Sequence, residues 1–472
     1  MRRFLVLLLA VAACGDDGSH QLPDAPVPPD APIDAAPDSP VTLTITRDGQ
    51  PIQGVEVYFL NPDDSLVAKV ATNENGVASA IVLPGASVTA VDPFPREATK
   101  GAPAPEKLLR TFAGVKPGDA LQLTDHDEVG GEPMRVELPI HFSADAYEVH
   151  STCGSTYMMD SPGSAFTPFA MIYLDTCETT ADFVIEALSD GTKIGWFHKA
   201  EVAVSHGATI DLTAESYQDS VPEVTFSLTN VPAELWGADY DAWLLAGRGK
   251  VWQLEYLPLD VVKGTATDTF QRAPVPNTTA MFKTFLWSSS TPTIHELHTW
   301  RPPAATTSID AGARLLPEYS AGPELDSATR TVDWSVTATG QTPDLVLAGI
   351  YVESNDTPAW YEWEIVAPYG DSSLTFPKLP DGVLPFVADD SAYVDVYELT
   401  TAKVPGGYDA VRAKMLDTLR GQGDFTDVAT GPSGDAAFAT YQLALAQAKT
   451  KAGKVRAQAV AAERARRAAH RR

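Results

Sequence analysis

Positive charge is scarce in this sequence. Its 472 residues carry 34 Lys or Arg against 62 Asp or Glu, a formal net charge of −28, which excludes a body built to neutralise a phosphate backbone. Cysteine is scarcer still. Three residues cannot form a disulfide-dense scaffold or a thiolate metal cluster. A membrane-spanning helix needs about 20 apolar residues, and the run that opens the chain stops at Ala13. Also missing are a Gly-x-Ser-x-Gly nucleophile elbow, a phosphate loop ending in Lys-Ser or Lys-Thr, and a dinucleotide fingerprint leading into a helix. What is present is a globular composition, 44% hydrophobic and 9% aromatic, long enough for roughly three compact units. The 37 prolines and 33 glycines favour many short strands over long helices.

The first residues read as an address. Met1-Arg2-Arg3 is positive, Phe4 to Ala13 is apolar, and small residues lead into Cys14, the order of a secretory signal. Val11-Ala12-Ala13-Cys14 resembles the lipobox of bacterial lipoproteins. The resemblance implies removal of residues 1–13 and lipidation of Cys14, hence a membrane partner for the mature chain; several acyl chains anchor stably where one does not. Gly15 in the sorting position is similar to the pattern exported to the outer membrane. Residues 14–40 form the tether: Ser19 to Pro40 has seven prolines and four aspartates and little to bury, so it is expected to be extended and solvated.

From Val41 the pattern alternates. Val41, Leu43 and Ile45 interleave with threonines, Val55, Val57 and Phe59 form a second strand, and Asn75-Gly76 favours a tight hairpin whose return strand begins at Val77. The string from Asp48-Gly49 through Thr72-Asn73-Glu74-Asn75-Gly76 to Leu83-Pro84-Gly85 resembles the carboxypeptidase regulatory-like domain. That resemblance implies a non-catalytic, transthyretin-like β-sandwich over 41–125.

Three further β units are expected, at 133–220, 223–303 and 327–400. The first holds Cys153 and Cys177, which an oxidising compartment should join; a free catalytic thiol is the alternative. The second is rich in tryptophan, with Trp236, Trp243, Trp252, Trp287 and Trp300, either buried in cores or displayed to stack on sugar rings. In the third, Leu345 to Val352 reads as a buried strand, and Trp360, Tyr361 and Trp363 must divide between two faces. Beyond Gly407 the pattern turns helical, with Val411, Met415, Leu416 and Leu419 on one stripe and Asp409 available as an N-terminal cap. The segment 407–472 therefore reads as a helical, alanine-rich tail, and from Lys449 onward it holds nine basic residues against one Glu.

The remaining motifs point to no established chemistry. His295-Glu296-Leu297-His298 lacks the spacing of a zinc-protease helix and, on a strand, would send its histidines to opposite faces. Asp125-His126-Asp127-Glu128 with Glu132 lacks the order of a calcium loop, and Asn73 with Asn75 reads as a turn. No metal, cofactor or catalytic residue is assigned. The fold class expected is mainly β, tandem sandwiches on a Pro-rich tether with a short helical basic end, similar in arrangement to bacterial surface lipoproteins. The function expected is that of a non-enzymatic, lipid-anchored envelope protein that binds a glycan or envelope protein, or acts as a spacer. The alternative is a secreted glycan-active hydrolase with acidic residues and tryptophans of 223–400 lining its site.

Overall fold

The computed structural model describes residues 38–47, 50–93, 107–125, 132–159, 167–172, 179–235, 237–246, 251–287, 291–355, 360–385, 392–412 and 435–441. Cys14, the tether before Asp38, Cys177, and residues 413–434 and 442–472 lie outside the described residues. Within them the protein is mainly β, with 29 strands and one short helix.

In the first unit, β1 (Val41–Arg47), β2 (Gln50–Pro51), β3 (Glu56–Leu60), β4 (Leu66–Ala71), β5 (Val77–Ala80), β6 (Ala86–Val91), β7 (Lys107–Val115) and β8 (Ala120–Asp125) make two facing layers. One layer holds β1 with β2, β5 and a parallel β8; the other runs β4, β3, β6, β7. The alternation in β1 buries Val41, Leu43 and Ile45 completely, and they meet Val57, Phe59, Val88 and Phe112 across the layers. The Asn-Gly turn forms, with Gly76 at φ 71 and the Asn73 side chain accepting from the Asn75 and Val77 amides at 2.9 and 3.0 Å. It is not a hairpin turn, however. β4 pairs with β3 and β5 pairs with β1, so the chain changes layers at Gly76. Burial explains the change: β4 is a largely exposed strand, whereas β5 carries buried Ala78 opposite Leu43.

A second sandwich follows. β9 (Met134–Glu137), β10 (Ala146–Ser151), β11 (Gly154–Met159), β12 (Phe169–Ile172), β13 (Thr180–Ser189), β14 (Thr192–Ala203) and β15 (Thr209–Asp211) form sheets ordered β11-β10-β13-β14 and β12-β9-β15. Their facing sides enclose Val136, Tyr147, Val149, Phe183, Ile185 and Phe197.

The rest of the chain is organised by one large sheet. Its contributing strands are β17 (Gly237–Ala246), β18 (Val251–Asp260), β20 (Thr278–Trp287), β21 (Thr293–Arg301), β25 (Leu345–Ser354), β26 (Trp360–Pro368), β28 (Ala392–Lys403) and β29 (Ala436–Tyr441). The order is β18-β17-β20-β21-β29-β28-β25-β26-β7-β6-β3-β4, twelve strands in all. The sheet therefore passes without a break through segments 223–303 and 327–400 and into the first unit, where β26 lies parallel to β7 with Trp363 opposite Leu109.

One face of this sheet packs against two three-stranded layers. These are β16 (Glu223–Thr229), β19 (Ala266–Gln271) and β22 (Thr306–Asp310), and β23 (Tyr319–Asp326), β24 (Thr331–Val336) and β27 (Ser373–Thr375). The shared core contains Phe226, Phe270, Phe282, Ile350, Trp334 and Trp363. On the other face Met281, Trp300, Leu345, Leu347, Val366 and Phe438 continue the core of the first unit.

Of the segment 407–472, expected to be helical, residues 407–412 and 435–441 are described. The helix α1 spans Gly407–Val411, with Gly406 in the left-handed conformation at its start and no side-chain cap. Asp409 stands in its first turn and pairs with Lys116 and Arg412 instead of capping. Tyr408 donates to the carbonyls of Ala113 and Val366 at 2.7 and 3.3 Å, and Arg412 reaches Asp119 at 2.7 Å, so α1 fastens the first unit to the large sheet.

Alanine-rich Ala436–Tyr441, expected to be helical, is strand β29, lying antiparallel between β21 and β28. Helix propensity is worth a few tenths of a kcal/mol per residue. Hydrogen-bonded ladders on both sides and the burial of Phe438 outweigh it.

Candidate functional site

Two constellations of ionisable side chains stand out. The first lies on β10, β13 and β14. Tyr147 and Val149 face the sandwich core, so alternation sends Glu148 and His150 to the opposite side of the sheet, where Glu148 stands opposite Glu186 in the ladder. His150 Nε2 lies 3.4 and 3.5 Å from the Glu186 and Glu148 carboxylates. Lys193 Nζ lies 2.8 Å from Glu186 and 3.5 Å from Glu148.

Glu148, His150 and Glu186 bring ligand atoms within 4.8 Å of one another, a spacing a divalent cation could use. The Lys193 ammonium already supplies cationic charge to both carboxylates. Burial presses the His150 pKa down, but hydrogen bonds to Glu148 and Glu186 prevail and hold it up at about 9. Burial presses Glu186 up, but Lys193 and His150 prevail and hold it at about 2. His150 and Lys193 thus supply countercharge to the paired carboxylates from within the fold.

Val184 and Trp196, on the same side of the sheet, belong to the core of the large sheet. The Lys193 amide and carbonyl are bracketed by the Gln271 side chain of β19 at 2.7 and 3.1 Å. The quartet thus lies on the side of the second sandwich that meets the rest of the molecule.

The second constellation lies on the large sheet. In the ladders of β25 with β26 and β28, Tyr351 stands opposite Glu362 and Asp395, and Glu353 opposite Trp360 and Tyr393. A bulge beside Gly349 lets the Tyr397 ring lie over Gly349, where a Cβ would meet ring carbon at 2.5 Å. The Tyr397 hydroxyl donates to Glu364 at 2.5 Å, and Arg110 from β7 pairs with Glu364 at 2.8 Å. Tyr351 and Trp360 are in ring contact with centroids 5.1 Å apart. One sheet face therefore interleaves aromatic rings with carboxylates. Glu362 and Glu364 are buried, while Glu353, Trp360, Tyr393 and Asp395 are partly exposed.

The residues singled out from sequence fall as follows. His295 and His298 lie on β21 and point to opposite faces: His298 joins Glu296 and Lys283, while His295 faces Glu318 at 3.7 Å. Burial pushes the Glu296 carboxyl up, but Lys283 and His298 prevail and hold its pKa below the ordinary carboxylate range. Cys153 is buried in the core of the second sandwich. Trp300 is buried and Trp287 partly exposed, whereas Trp236 and the side chains of Trp243 and Trp252 are not described. Glu132 is described and Asp125 lies on β8, but residues 126–131 lie outside the described residues. Neither constellation was visible in the sequence, because each is assembled by cross-strand register. Only the alternation Glu148-Val149-His150 and Glu362-Trp363-Glu364 hinted at polar positions inside buried strands.

No protein-family model matches the sequence, and no curated protein matches it. Among solved structures, the chain overlaps the Bacillus anthracis TIE protein at 12% identity and a TM-score of 0.14, covering 58% of this chain and 50% of that one. It overlaps the fimbrial anchor protein Mfa2 from Porphyromonas gingivalis at 11% identity and a TM-score of 0.14, covering 32% of this chain and 77% of that one. The chain thus spans half the length of the first. Overlaps this shallow carry no argument about fold or function.

Proposed function

We propose that this chain is a non-enzymatic protein of the bacterial cell envelope. It is held on the outer membrane by acyl groups on Cys14 and carries its β body on the 14–40 tether to meet a protein or glycan partner, or to act as a spacer. The observation that carries this reading is the order along the chain. A positive start, an apolar run and Val11-Ala12-Ala13-Cys14 lead into a Pro/Asp spacer, which ends where strand β1 begins. The interior supports the non-enzymatic part. Glu148, His150, Glu186 and Lys193, and likewise Arg110 with Glu364, are engaged in cross-strand ion pairs that build the fold. The hydrolase alternative calls for a tryptophan-lined cleft. Among the described side chains Trp300, Trp334 and Trp363 lie in cores, Trp287 and Trp360 are partly exposed, and the cavity beside Trp363 holds about 60 Å³. The test is fractionation of cells expressing the full chain and its Cys14→Ser variant. The native chain should sediment with outer membrane, and the variant should stay unprocessed or appear in the soluble fraction. Equal membrane association of both would refute the anchor.

A further inference from the structure

We propose that the aromatic and acidic face of β25, β26 and β28 is a docking surface, and that its occupant is the basic C-terminal segment of this same chain, residues 449–472. Three observations converge. The first is the surface itself, where Glu353, Trp360, Tyr393 and Asp395 are partly exposed together at one end of the ladder. Tyrosine and tryptophan rings attract ammonium and guanidinium groups through their faces, and carboxylates beside them add the countercharge.

The second is charge complementarity. Residues 449–472 carry nine Lys or Arg against one Glu, while residues 14–448 carry 23 basic against 61 acidic.

The third is direction and reach. β29 runs antiparallel to β28 with Thr440 opposite Thr400, so at Tyr441 the chain is heading along β28 toward Asp395 and Tyr393. Seven residues, 442–448, separate Tyr441 from Lys449, and at about 3.3 Å per residue they reach roughly 23 Å. The same spacing takes β28 from Thr400 to Tyr393, roughly 23 Å further along. The first basic residues are thus delivered to the acidic end of the face at no cost in tether length. Since the segment is covalently linked, its effective concentration there is high. Docking would shield the acidic face from other cationic ligands while the tail is bound.

The experiment is zero-length carbodiimide cross-linking of the full chain, read by peptide mass spectrometry, with an equal mixture of ordinary and 15N-labelled protein. The expected result is amide links from Lys449, Lys451 or Lys454 to Glu353 or Asp395 within a single isotopic copy. These should fall at least about fivefold in about 1 M salt, where the Debye length is about 3 Å. The proposal is overturned if these lysines link indifferently to other acidic positions, if they form no links to Glu353 or Asp395, or if the links join labelled to unlabelled copies.

Discussion

Strand β29 is short, yet among the described strands it alone connects β21 with β28, so replacing Phe438 by alanine tests the architecture at its narrowest point. The Phe438 side chain is 1% exposed, shares a core with Met281, Trp300, Leu345 and Ala402, and lies with its ring centroid 4.9 Å from that of His298. Truncating a fully buried phenylalanine costs about 3–5 kcal/mol, as lost transfer energy plus the cavity left behind. The backbone ladders on both sides should loosen as well, because the strand that satisfies them loses its anchor. Asp435 at the head of the strand holds Arg301 through paired bonds of 2.7 and 2.9 Å and also pairs with Arg314. That clamp is partly solvated, so Asp435→Ala should cost less, about 1 kcal/mol. Urea unfolding followed by tryptophan fluorescence gives the energies, and amide hydrogen exchange of residues 293–301 and 392–403 gives the location. Were the segment a surface helix, as its alanine content suggests, Phe438→Ala would cost under about 0.5 kcal/mol. Such a value, with unchanged exchange on β21 and β28, would refute the inserted strand.

Three further outcomes are open to measurement. His150 has its folded pKa raised from 6.5 to about 9, so its stabilisation is complete below pH 6.5 and is lost as pH rises through 9. Glu186 is lowered from 4.5 to about 2, so its contribution is present above pH 4.5 and fades as pH falls toward 2. A pH series of urea midpoints should therefore show an alkaline decline that His150→Gln removes; an identical slope in both proteins would count against the quartet. Mature protein denatured without reductant should expose no reactive thiol from Cys153 or Cys177, and its reduction should cost about 3 kcal/mol by loop entropy. Two reactive thiols before reduction would rule the bridge out. Gly76→Ala should destabilise the first unit by more than about 1 kcal/mol, because φ is 71 and the added Cβ would meet the Ile45 carbonyl oxygen at 2.4 Å. A thermal midpoint equal to the parent's would show that the turn relaxes freely.

Local pattern was legible wherever burial follows it. The alternation of Val41, Leu43 and Ile45 became the buried side of β1, the unbroken run from Leu345 became the buried β25, and Trp360 parted from Tyr361 and Trp363 by strand parity. Pairing was not legible, because hydrogen-bonded ladders form between backbones and leave no residue-specific trace. Nothing in residues 107–115 announces a partner in 360–368, and the Asn-Gly turn gave no hint that β5 would join the opposing layer. Composition misled at Ala436–Tyr441, where tertiary burial of Phe438 decides against helix propensity. The buried quartet was hidden for the same reason as the ladders: Glu148 and Glu186 are 38 positions apart in the chain and become neighbours only through register.

The most direct test of the envelope assignment is the mass of the N-terminal peptide of protein extracted from membranes. The peptide should begin at Cys14 and carry a diacylglyceryl group on sulfur and an acyl group on nitrogen. A peptide beginning at Met1 or beyond Cys14, or an unmodified Cys14, would contradict it.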